Sequence, residues 1–123
     1  MCIDPNKIKE YVGDVSDAEC YAMLTSFRKS LQCRQKDLQN ALKLNNWQEC
    51  AQLTHNLKSN ALYFGAEKLQ EICQTGEKLF TIATTDTQDI HIWLDKFNQQ
   101  CQRVLSGIDS VLKDKRHAQE TRK

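Results

Sequence analysis

Residues 51–66 read Ala51-Gln52-Leu53-Thr54-His55-Asn56-Leu57-Lys58-Ser59-Asn60-Ala61-Leu62-Tyr63-Phe64-Gly65-Ala66. Leu53, Leu57, Ala61 and Phe64 recur at i, i+4, i+8 and i+11, which predicts a helix with one apolar stripe. His55 falls off that stripe. Its helical neighbours at three and four residues are Ala51, Gln52, Lys58, Ser59 and Leu62. Apart from Leu62 these side chains are small or polar, and one is a cation, so the imidazole is expected to be open to solvent and reachable by another macromolecule. Gly65 follows Phe64 where a helix takes a left-handed C-terminal residue, and the helix is expected to end there.

A neutral imidazole near its reference pKa is a competent nucleophile at pH 7. Lys58, one turn on, can offset the negative charge of a phosphoryl group in flight or already attached. Taken alone, a surface histidine with a lysine at i+3 is an ordinary occurrence. The longer pattern is more specific.

Thr54-His55-Asn56-Leu57-Lys58-Ser59, with Gly65-Ala66 ten residues beyond the histidine, resembles the signature of histidine-containing phosphotransfer (HPt) domains. Members of that family usually read His-x-Leu-Lys-Gly, with Gly-Ala at the same offset. The resemblance implies that His55 is the phosphorylated residue, reacting through Nε2. It also implies that Lys58 is the charge partner and Gly65 the helix-ending glycine. One position departs: Ser59 stands where the family most often has glycine, which bears on affinity or partner choice. The resemblance covers about residues 3–113, although only the stretch around His55 is specific.

Working outward, Asn46 and Glu49 form a capping-box pattern, so Trp47 is expected to open the helix that carries His55. Upstream, Ser16 and Glu19 form another such box. Tyr21, Leu24, Phe27, Leu31, Leu38 and Leu42 then mark a bundle seam to about Leu44. Asp4-Pro5 predicts a short helix, with Ile8, Tyr11 and Val12 on one face and Gly13 at its end, lying as a lid on the bundle. Downstream of Gly65, Leu69, Ile72, Cys73, Gly76 and Leu79 share a face. Gly76 in mid-pattern costs about 1 kcal/mol relative to alanine and suits close packing against a neighbour. Residues 81–87 read as a polar loop. A last helix from Thr87 or Asp89 keeps a stripe of Ile90, Trp93, Leu94, Phe97, Cys101, Val104, Ile108 and Val111. The expected fold is all-α: an antiparallel up-down-up-down four-helix bundle with a short N-terminal helix. It spans residues 1–113, and residues 114–123 form a polar, disordered tail.

The 123 residues, 40% of them hydrophobic, with four glycines and one proline, fit one helical domain. Seventeen basic and sixteen acidic residues give a formal charge of +1, which offers no electrostatic attraction for nucleic acid or an anionic membrane. The longest apolar run is Ala61 to Phe64 and no signal peptide is visible, so a cytoplasmic protein is expected. Six cysteines are spread without a Cys-x-x-Cys pair or a cysteine–histidine cluster, and reduced thiols are expected. His91 reads as a partly exposed structural histidine and His117 as a tail residue; no metal site is expected. Trp47 and Trp93 read as core-facing packing residues, with Trp47, Cys50 and Leu53 starting the buried stripe that Leu57 and Phe64 continue. There is no Walker-type loop or kinase signature set, so the phosphoryl donor is expected to be another phosphorylated protein or a small activated phosphate.

Together with the resemblance, these features point to a phosphocarrier rather than an enzyme of ordinary turnover. His55 would shuttle a phosphoryl group between receiver-domain aspartates in a multistep His–Asp phosphorelay. The partners implied are response-regulator receiver domains, one of them possible in a hybrid histidine kinase. Gln52, Ser59 and Leu62 are the candidate partner contacts, with Leu62 the apolar anchor. No carboxylate cluster is visible beside His55, no cofactor is expected, and any Mg²⁺ belongs to the receiver. A monomer is expected. The competing reading is a non-phosphorylated helical adaptor or inhibitor that binds a kinase or receiver domain.

Overall fold

The computed structural model describes Gly13, residues 16–82 and residues 86–121, with Asp17 and residues 114–121 described by backbone alone. The short helix expected from Asp4 lies outside the described residues. Four helices follow: α1 (Asp17–Lys43), α2 (Trp47–Tyr63), α3 (Glu67–Thr81) and α4 (Thr87–Thr121). Together they form an all-α four-helix bundle.

Both capping residues expected from sequence act at helix starts. Ser16 Oγ accepts the Glu19 N–H at 3.1 Å, and Asn46 Oδ1 accepts the Glu49 N–H at 3.2 Å. The two short turns of the bundle share one design. After α1, Asn45 takes a left-handed φ of 52°, and the N–H groups of Asn45 and Asn46 bond back to Leu42 and Ala41. After α2, Gly65 takes φ 69°, and the N–H groups of Gly65 and Ala66 bond back to Leu62 and Ala61. Each is a Schellman ending, which satisfies carbonyls that a helix terminus otherwise leaves open. Asn46 and Ala66 then serve directly as the N-caps of α2 and α3.

Each helix packs on its neighbour in sequence, and α4 closes the ring against α1. Residue pairings fix directions. Arg28 meets Asp109 and Gln35 meets Asn98, so α1 and α4 run oppositely. Trp47 meets Phe80 while Lys58 meets Glu77, so α2 and α3 also run oppositely.

The core is the sum of the apolar stripes. Leu24, Leu31 and Leu38 of α1, Cys50 and Leu57 of α2, Leu69 and Cys73 of α3, and Phe97, Cys101 and Ile108 of α4 are all buried. Phe64, at the end of α2, stacks on Phe27 with centroids 4.3 Å apart. Burial pushes the Cys50 thiol up to about 11 and the Cys73 thiol up to about 12, and it raises Cys101 as well. These thiols stay protonated and act as small hydrophobes. The five described cysteines are free.

Two expectations need correction. Trp47 is not a buried core residue: it is 41% exposed. As the first residue of α2 it sits at an open end of the bundle. One ring face lies on Phe80, and the side chain also lines a cleft of about 370 Å³ with Leu42, Ile90, His91 and Leu94. The polar tail expected from Lys113 has a helical backbone as far as Thr121. Its lysines, arginine, alanine, glutamine and glutamate are good helix formers, so the backbone continues after the apolar stripe stops.

Candidate functional site

His55 lies midway along α2, where helix fraying does not reach it. Its side chain is 51% exposed. The residue before it, Thr54, is fully buried, and its hydroxyl donates to the carbonyls of Cys50 and Ala51 at 2.9 Å each. The chain thus passes in one residue from core to solvent, as the off-stripe position of His55 requires.

The ring does not stand alone. His55 Nδ1 is 2.7 Å from Oε1 of Glu77, which reaches across from α3. The other carboxylate oxygen, Oε2, accepts from Lys58 Nζ, also at 2.7 Å. Lys58 and Glu77 side chains are each 28% exposed, so the pair sits in the groove between α2 and α3 with His55 at its outer lip.

Glu77 was not legible as a site residue: the sequence shows no carboxylate cluster beside His55, and the fold brings a single carboxylate to it from α3. A signal for it does exist. Glu77 extends the buried series Leu69 and Cys73 at i+4 and i+8, and a charged residue continuing an apolar stripe needs a partner.

The hydrogen bond from Lys58, and after it that from His55, holds the Glu77 carboxyl below the usual carboxylate range. At neutral pH Glu77 is therefore ionised and can only accept. The proton of the 2.7 Å contact must then sit on Nδ1 of His55. In the neutral ring this leaves the lone pair on Nε2, the nitrogen not engaged by Glu77.

The other residues expected around the site lie on the surface of α2. Ser59 and Leu62 are exposed, Leu62 by 38%. Gln52 is exposed and its amide donates to Asn56 Oδ1 at 3.2 Å, so it is tied to its own helix. His91 is exposed at the start of α4, in the cleft beside Trp47, and no contact joins it to His55. Among the described residues, no group of three or more His, Cys, Asp or Glu side chains is placed to hold a metal ion. No helix among the described residues is long and apolar enough to cross a membrane.

Residues 22–118 match the Hpt domain family. No curated protein and no solved structure matches the chain significantly. The family match spans most of the sequence, and the chain belongs to the Hpt domain family. Hpt domains serve phosphotransfer in His–Asp phosphorelays and interact with receiver domains, and that general role is the one this chain carries.

Proposed function

We propose that His55 accepts a phosphoryl group from the aspartyl phosphate of one receiver domain and passes it to the aspartate of another. The observation that carries this reading is the shared carboxylate. Glu77 takes Nδ1 of an exposed imidazole and the amine of Lys58 together.

The step balances without a proton moving to solvent. The Nε2 lone pair attacks phosphorus in line, the bond from phosphorus to the aspartyl oxygen breaks, and the receiver recovers its carboxylate. The imidazole keeps its Nδ1 proton and becomes cationic, and the Glu77 carboxylate already bonded to Nδ1 compensates that charge. In the return step the ring leaves as neutral imidazole. Lys58, held one turn away by the same carboxylate, supplies positive potential for the transferring oxygens.

Gln52, Ser59 and Leu62 form the proposed docking surface on α2, with Leu62 as its apolar anchor. Ser59 adds a hydroxyl where the family usually has none. A receiver-borne Mg²⁺, the absence of a resident cofactor, a monomeric state and a cytoplasmic location belong to the same proposal.

Incubation with a phosphorylated receiver tests it. Label is expected on the protein, labile in acid as phosphohistidine is, and absent from His55→Gln. A wild-type protein that binds the receiver but gains no label is instead an adaptor.

A further inference from the structure

Gly76 and Glu77 are consecutive on α3 but face different helices. Glu77 reaches α2, whereas Gly76 lies against Trp93 of α4. A Cβ placed on Gly76 would fall 2.8 Å from Trp93 Nε1 and closer still to Cε2 and Cζ2. Only a glycine lets the indole lie on the α3 backbone at this point. The Trp93 Nε1–H donates to the carbonyl of Ile72 at 2.8 Å, one turn before Gly76.

The indole is itself held on several sides. It is buried, stacks on Phe97 at 5.0 Å, and meets Phe80 edge-on at 5.1 Å. Phe80 in turn stacks on Trp47 of α2. One turn of α3, from residue 72 to residue 76, is thus clasped from the α4 side. The next residue carries the carboxylate that must meet two donors, both at 2.7 Å. A carboxylate that bridges two donors cannot swivel toward one without leaving the other. Its geometry is therefore set by where the helix places its Cα.

We propose that Trp93 is a positioning residue. By its hydrogen bond to Ile72 and its contact with Gly76, it fixes the height and rotation of α3 at which Glu77 holds the Nδ1–H tautomer of His55. The kinetic consequence rests on the phosphotransfer reading above, whereas the tautomer consequence does not.

The experiment uses the full chain with ¹⁵N-labelled histidine and reads the ring nitrogens of His55 by NMR at a pH where the ring is neutral. Wild type is expected to show Nδ1 protonated and Nε2 bare. Trp93→Phe keeps an aromatic ring and removes the N–H donor. It is expected to retain helicity, yet show a mixture of tautomers. Uptake from a phosphorylated receiver is expected to slow roughly three- to tenfold, less than the ~100-fold that a 1 Å misplacement costs. In a Glu77→Ala background, Trp93→Phe is expected to add nothing to the loss.

The proposal is overturned if Trp93→Phe leaves the His55 nitrogens as in wild type, or if it slows uptake equally with and without Glu77. Gly76→Ala drives a methyl into the indole and is expected to disturb the same nitrogens more; should it fail to fold, Trp93→Phe decides. If wild type takes up no phosphoryl group, the phosphotransfer reading falls while the tautomer measurement still judges this one.

Discussion

Asp109 gives both carboxylate oxygens to one partner, Arg28, through Nε at 2.6 Å and Nη2 at 3.2 Å. Glu77 divides its oxygens between Lys58 and His55 at 2.7 Å each. Both carboxyls bridge neighbouring helices, and both are held below the usual carboxylate range, Asp109 by Arg28 and Glu77 first by Lys58. The fork of Arg28 closes its bridge: one guanidinium matches both carboxylate oxygens and their charge, its Nη1 donates to Gln32, and no reactive atom is left over. The Glu77 bridge stays open at one end, because the ring it holds has a second nitrogen that it does not engage. Two similar bridges between helices therefore do not have equal roles. A tie between helices becomes a reactive site when one of its partners keeps an unused lone pair.

The largest break in that contrast is His55→Gln, expected to abolish labelling by a phosphorylated receiver while circular dichroism stays unchanged. Next comes Glu77→Ala, which frees Nδ1 and is expected to slow uptake on the order of 100-fold, the low end of what a positioned charge or proton partner contributes. Glu77→Gln, which still offers Nδ1 a carbonyl, is expected to recover part of that loss in the same quench-flow assay. Lys58→Ala removes one partly exposed charge and is expected to slow transfer about tenfold without preventing it. Smallest is Asp109→Asn, expected to leave transfer rates alone and to cost at most ~1 kcal/mol in urea unfolding, since the pair is solvent-screened.

Acid titration sharpens the same comparison. Each carboxyl has a folded-state pKa below its unfolded value. Each therefore contributes stability above the ordinary carboxylate range and loses it as pH falls through the lowered folded value. Urea midpoints measured across that window are expected to fall less in Glu77→Gln and in Asp109→Asn than in wild type.

The helices, their caps and the exposed His55 were legible because each depends on residues three or four apart in one segment. Ser16 and Asn46 cap as their patterns require, and the stripe Leu53, Leu57, Ala61, Phe64 is buried throughout. Glu77 was not, because its partnership depends on how α3 is rotated against α2, which no single helix encodes. Gly76 was marked as a packing position, but only the fold supplies Trp93 as its neighbour. Trp47 misled because burial also depends on how far a residue lies from the end of the bundle. Beyond Lys113 the apolar stripe stops but helix propensity does not, so the backbone continues to Thr121 where hydrophobic pattern alone predicts no helix.

The two Schellman turns leave no spare residue, since Asn46 and Ala66 each finish one helix and start the next. An added or deleted residue there cannot be absorbed as slack; it turns the following helix by about 100° about its own axis. At 44–46 that rotation would carry His55 away from Glu77, and at 64–66 it would swing Glu77 away from His55. These connectors thus work as keyways, and insertions that a longer loop would tolerate are expected to silence the site without unfolding every helix.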